Sequence, residues 1–155
     1  MNLKIIRCSK QRFEEMLAFV SAHNPAGEHH IGYFGVTPED IRQSVLMLNL
    51  AYTRGFRLAL AGNRLVGVCG VDIYPAIGRA WLYGPIVVAE AWAEVADSLY
   101  AAVQPVIPAG IGEHEMFIDS CNANGRAFAQ RHGFAEHGEW AIYFITPDRL
   151  ATLSE

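Results

Sequence analysis

Residues 82–99 read LYGPIVVAEAWAEVADSL, and the reading of this stretch decides the fold. With the three residues ahead of it, the run RAWLYGPIVV (79–88) is apolar and of strand length. Such a near-continuous apolar strand belongs in a sheet covered on both faces. After Ala89 the period changes: Trp92, Val95, Ala96, Leu99 and Val103 recur on one helical face, predicting a helix over 90–103. Glu90 and Glu94 stand in its first turn, where acids complement the helix dipole, and Pro105 and Pro108 terminate it. Proline has no N–H for a sheet ladder, so Gly84-Pro85 inside the strand requires an edge or a bulge. The run is too apolar for an exposed edge, and the sequence predicts a bulge that splays this strand from a neighbour.

Working outward, residues 65–74 (LVGVCGVDIY) form a second fully covered strand, joined through the two-residue turn Gly62-Asn63 to a strand at 56–61. Residues 3–8 give a short first strand. Phe13, Met16, Leu17 and Val20 mark one face of a helix over 10–21. Thr37 as N-cap, Pro38 at the first helical position and Glu39-Asp40 in the first turn open a helix over 38–53, with Ile41, Val45, Leu48 and Tyr52 on its buried face. Downstream come a strand at 115–120, a helix at 122–132 closed by Gly133, a strand at 140–146 (WAIYFIT) and a last helical turn at 147–153. The order β-α-α-β-β-β-α-β-α-β predicts an α/β domain over residues 1–155: a mixed, mostly antiparallel central sheet with helices on both faces and a splayed central strand.

Composition narrows the function. The 155 residues are 52% hydrophobic and 18% charged, which excludes intrinsic disorder. A net charge of −4 with no Lys/Arg cluster excludes a nucleic-acid partner and suits a neutral or cationic small molecule. Cys8, Cys69 and Cys121 have neither metal-ligand spacing nor an even count, so reduced thiols and a cytoplasmic setting are expected. The first ten residues contain no signal-peptide core, and the longest apolar stretch, 80–89, is too short to span a membrane. No metal site is expected.

Two stretches resemble the GNAT N-acetyltransferase superfamily: residues 82–99, its central strand and following helix, and NANGRAFAQRHGF (122–134), its Asn-led helix ending in Gly-Phe. The resemblance implies acetyl-CoA as co-substrate and transfer of its acetyl group to an amine of a small molecule or peptide. It places the pantetheine arm against backbone groups of Val87 and Val88, flanked by Asn122 and Phe128. The chain departs from the pattern in two places. Residues 89–94 (AEAWAE) replace the family's basic, glycine-rich pyrophosphate loop, with no glycine and two carboxylates. Ala129 stands where the family commonly has a tyrosine that protonates the departing thiolate.

An amine nucleophile must lose a proton to a nearby base. Asp72, an acid embedded in an apolar run, is the candidate base, with Asp119 as a second acid that also suits capping the next helix. Tyr83 and Tyr143 are the candidate acids. His29-His30 reads as a solvated loop pair, Cys121 as a small packing residue at a helix start, and Tyr33-Phe34 as a substrate wall or a cap on the core. The hydrophobic end at 140–145 raises the expectation of a homodimer. The altered 89–94 segment and Ala129 keep open an alternative, a non-catalytic GNAT-like module that binds a ligand or partner and has lost CoA.

Overall fold

The computed structural model describes residues 2–141. Within it, β1 (Leu3–Arg7), β2 (Arg57–Ala61), β3 (Arg64–Tyr74), β4 (Arg79–Val87) and β5 (Glu113–Met116) form one sheet in the order β1-β2-β3-β4-β5. The first three pairings are antiparallel and the last, β4 with β5, is parallel. The helices are α1 (Phe13–His23), α2 (Pro38–Leu46), α3 (Tyr52–Gly55), α4 (Trp92–Val103) and α5 (Ala123–Arg131). The fold is the mixed, mostly antiparallel α/β sheet that the sequence predicts. The strand expected at 140–146, with Tyr143, and the turn at 147–153 lie almost entirely outside the described residues.

Alternation along the strands divides the core into two layers. Leu58, Leu60, Val68, Tyr83 and Ile86 face α1 and α2, whose Phe13, Met16, Leu17, Val20, Ile41 and Val45 bury against them. Ala59, Cys69, Val71, Leu82 and Val87 face α4, which presents Val95, Ala96, Leu99, Tyr100 and Val103. Gly67 permits that approach: a Cβ there would stand 3.0 Å from Leu99 Cδ1 and 3.2 Å from Val95 Cγ1. With both faces covered, β3 and β4 carry apolar residues at almost every position.

The helix expected over 38–53 starts as predicted but ends early. Thr37 Oγ1 accepts the Asp40 N–H at 3.1 Å while the Asp40 carboxylate accepts the Thr37 N–H at 3.2 Å, a reciprocal capping box. These bonds from Thr37 hold the Asp40 carboxyl below its ordinary value. The helix then stops at Leu46, and α3 is a separate turn. The reason is tertiary: the N–H groups of Asn49 and Leu50 turn inward to the Asp72 carboxylate, at 3.1 and 2.8 Å. A charged acceptor in the sheet competes successfully with the helix for those donors.

The last described strand is also displaced from its expected position. It spans Glu113–Met116 rather than 115–120: its parallel register with β4 opens at Arg79–Glu113, where the Glu113 N–H donates to the Gly78 carbonyl at 3.2 Å and Arg79 meets the Glu113 and Glu115 carboxylates at 2.7 and 3.5 Å. The following residues pair elsewhere: Gly32 donates to the Phe117 carbonyl at 2.7 Å, Ile31 bridges Ile118, and Asp119 donates to the His30 carbonyl at 3.3 Å.

Candidate functional site

The bulge expected at Gly84-Pro85 is present on β4. Between the pairs Gly70–Tyr83 and Val68–Ile86, β3 advances two residues and β4 three. Gly84 accommodates the extra residue at φ +129, and a Cβ there would lie 2.8 Å from the Val68 carbonyl oxygen. The other edge of β4 parts from β5 at the same level. Their register ends at Leu82–Met116, after which residues 117–119 turn to the 30–32 loop. The two parallel strands therefore fork, and β4 continues from Tyr83 to Val87 without β5 beside it.

Val87 lies on the open side of the fork. Val88 donates its N–H to the Val66 carbonyl at 2.8 Å, toward β3, so strand alternation turns the N–H and C=O of Val87 to the opposite edge. The Val87 side chain is buried under α4, whereas Val88 is 37% exposed. Past residues 88–91 the chain enters α4 at Trp92, two residues later than expected, and the Ala91 N-cap has no side chain to cap the first-turn N–H groups. Those free donors and the helix dipole make a site of positive potential at the end of β4, which Glu94 in the first turn offsets.

Asn122 and Phe128 take structural roles that the sequence reading did not foresee. Asn122 is the N-cap of α5: its Oδ1 accepts the Gly125 N–H at 2.8 Å and its Nδ2 donates to the His30 carbonyl at 3.3 Å. Asp119 joins this turn by accepting the Cys121 N–H at 2.8 Å. Phe128 is fully buried between Trp92, Tyr100 and His132, locking α5 to α4.

Asp72 is 0% exposed and its carboxylate is saturated. It accepts from the N–H groups of Asn49, Leu50 and its own neighbour Ile73 at 3.1, 2.8 and 3.0 Å, and from Asn49 Nδ2 at 3.5 Å. Tyr83, nearly buried, joins an aromatic cluster with Tyr33, Phe34 and Phe56. Burial, followed by the neighbouring Tyr74 and Asp72, pushes its phenol well above the ordinary tyrosine range, so it holds its proton.

One pair escaped the sequence reading. The Tyr33 hydroxyl donates to Glu115 Oε1 at 2.7 Å across 82 positions of sequence. The Tyr33 ring stacks on Trp81 at 5.4 Å and meets Phe117 edge-on at 5.9 Å. Glu115 thus stands one register position before the fork, its side chain 44% exposed, against an aromatic wall. The Trp81 indole N–H, buried in that wall, finds no acceptor among the described residues. The sequence left Tyr33 open as a substrate wall or a cap on the core, and the position of Glu115 depends on the parallel register of β4 and β5.

No family model and no curated protein matches this sequence. The fold, in contrast, has close counterparts among solved structures. The chain is similar to AAC(6')-Iy in complex with the bisubstrate analogue CoA-S-monomethyl-acetylneamine, with a TM-score of 0.63 at 19% identity, over 94% of this chain and 99% of that one. It is similar to an aminoglycoside acetyltransferase from an uncultured soil metagenomic sample in complex with sisomicin (TM-score 0.61, 19% identity, 93% and 96% covered). It also resembles the PaiA N-acetyltransferase of Thermoplasma acidophilum in complex with coenzyme A (TM-score 0.62, 16% identity, 86% and 89% covered). The fold is that of the GNAT acetyltransferases, as the two sequence stretches imply. Among the described residues no helix is long and apolar enough to cross a membrane.

Proposed function

We propose that the protein is an acetyl-CoA-dependent N-acetyltransferase acting on an amine of a small molecule or peptide. The observation that carries this reading is the fork: β4 loses its parallel partner after Leu82, and the polar edge of Val87 runs to the uncapped first turn of α4. The residues fit an acyl-CoA arm. Val87 supplies an N–H and a C=O for an amide-bearing chain, and the α4 N–H groups supply donors for its phosphates. The solved structures of like fold that hold coenzyme A or its analogue support the same assignment.

In the reaction, the amine nitrogen attacks the thioester carbonyl, the C–N bond forms, the C–S bond breaks, and one proton leaves the nitrogen while the sulfur gains one. Much of the acceleration comes from holding the two reactants in line within the fork. Glu115 is better suited than Asp72 to attract a cationic amine and take its proton through water, because Asp72 already accepts from four donors. Tyr83 is a neutral phenol at the bulge, suited to donate a hydrogen bond to the departing sulfur. Tyr143, the second candidate acid, lies outside the described residues. The homodimer stays a proposal whose check is the sedimentation mass.

A second reading is favoured by one feature: residues 88–94 bring no glycine and no cation to the α4 turn, and Glu94 opposes phosphate there. It describes a binding module without transferase chemistry. Calorimetric titration with acetyl-CoA and with CoA, followed by an amine screen that detects released thiol, separates the two. Saturable binding with thiol release on adding an amine supports the transferase. Absence of heat and of thermal shift at millimolar CoA overturns it in favour of the second reading.

A further inference from the structure

Four arginines of this chain, Arg12, Arg42, Arg79 and Arg131, each hold a carboxylate within 2.6–2.7 Å. Three others do the opposite. Arg7, Arg54 and Arg57 line one cavity of about 230 Å³ together with Pro105 and Val106, which follow the C-terminal end of α4. Among the described residues no carboxylate lines that cavity, and none of the three forms an ion pair.

The arrangement is electrostatically costly. Arg7 and Arg57 are direct cross-strand partners on β1 and β2. Since Cys8 donates its N–H to the Phe56 carbonyl at 3.1 Å, the adjacent pair Arg7–Arg57 is of the non-hydrogen-bonded kind, in which side chains stand closest. Like charges so placed repel. By alternation with Ile5 and Ala59, both side chains lie on the α4 face of the sheet. Arg57 is only 8% exposed, and burial, with the Arg7 charge second, holds its guanidinium below the usual arginine range.

Among the described residues little of this charge is neutralised. Arg57 Nη1 donates to the carbonyls of Arg54 and Phe56 at 2.8 and 3.0 Å, leaving Nε and Nη2 without a partner among the described residues. The end of α4 contributes about half a negative charge. Cys69, opposite Arg57 on β3, is a buried thiol pushed up to about 12 by burial and so remains neutral.

We infer that this cavity is an anion site that takes a small phosphate-bearing molecule. Guanidinium forks match phosphate oxygens two at a time, and a group bearing two charges balances the cluster where a halide does not. The site is separate from the fork, since the 12 residues of α4 place about 18 Å of helix between its first turn and this cavity.

The test is a melting and calorimetric titration of the full chain with inorganic phosphate, pyrophosphate, succinate and chloride at matched ionic strength. The wild type is expected to be stabilised saturably by phosphate and more by pyrophosphate. Arg7 and Arg54 are exposed, so R7Q, R54Q and the double variant fold. Each substitution is expected to weaken binding about tenfold, and the pair about a hundredfold. R7E supplies the missing carboxylate, so it is expected to melt above the wild type without ligand and to lose the phosphate response. Equal responses to phosphate and chloride, a response to succinate alone, an unchanged response in the double variant, or an R7E chain that melts lower would each overturn the inference.

Discussion

Replacing Asp72 separates a base from an anchor. If its carboxylate holds the 47–51 break in place, Asp72→Ala strands the N–H groups of Asn49, Leu50 and Ile73, which it accepts at 3.1, 2.8 and 3.0 Å. Each buried donor left without a partner costs about 1–3 kcal/mol, and two of the three lie at the edge of the core, where water recovers part of that. A loss of about 3–4 kcal/mol follows, and at about 2–4 °C per kcal/mol for a domain of this size the melting temperature falls by roughly 6–16 °C. Asp72→Asn keeps one acceptor oxygen and turns an NH2 toward the remaining donors, so it is expected to lose about half as much. The assay is urea and thermal unfolding of both variants, with the acetylation rate at saturating substrate measured well below their melting points. Under the anchor reading the stability falls and the rate of the folded fraction changes less than tenfold. A D72N chain that melts within 1 °C of wild type while its rate drops about a hundredfold or more, the scale of a lost general base, refutes the reasoning.

Gly84→Ala meets both a φ of +129 and a carbonyl oxygen 2.8 Å from the new Cβ, so a loss of about 3 kcal/mol is expected by urea unfolding, whereas Gly78→Ala, at φ +67 with nothing within 4 Å, loses about 1 kcal/mol. Burial, and then His29, lower the pKa of His23 below 6.5; the folded state thus binds fewer protons than the unfolded chain, and the His23 contribution is complete above pH 6.5 and lost as pH falls through the folded value. His23→Gln should therefore flatten the decline of the melting temperature between about pH 7.5 and 5.5; an unchanged slope removes His23 as its source. Of the three thiols, Cys8 and Cys69 are buried, with pKa values pushed up to about 11 and about 12 chiefly by burial, while Cys121 is exposed. A thiol reagent should label Cys121 alone in the native protein and all three after denaturation, as peptide mapping will show.

The strand at 79–88, the helix after it and the Thr37-Pro38 start were legible because their causes are local: an apolar run, a 3.6-residue period, a side chain within three positions of the N–H it caps. Gly84-Pro85 announced its bulge for the same reason, since a missing donor and a permissive φ are properties of two adjacent residues. What the sequence by itself determined is therefore the order of the strands and longer helices from β1 to α5, the two-layer core and the place where β4 deforms. The tertiary structure alone decided how far the helix after Pro38 runs, because its end depends on a carboxylate 22 and 23 residues away. It also decided that β5 starts at Glu113, that Glu115 meets Tyr33, and that three arginines share one cavity. Those outcomes depend on register between distant strands, and a one-residue shift there changes every side-chain partner while leaving the local pattern of each strand unchanged.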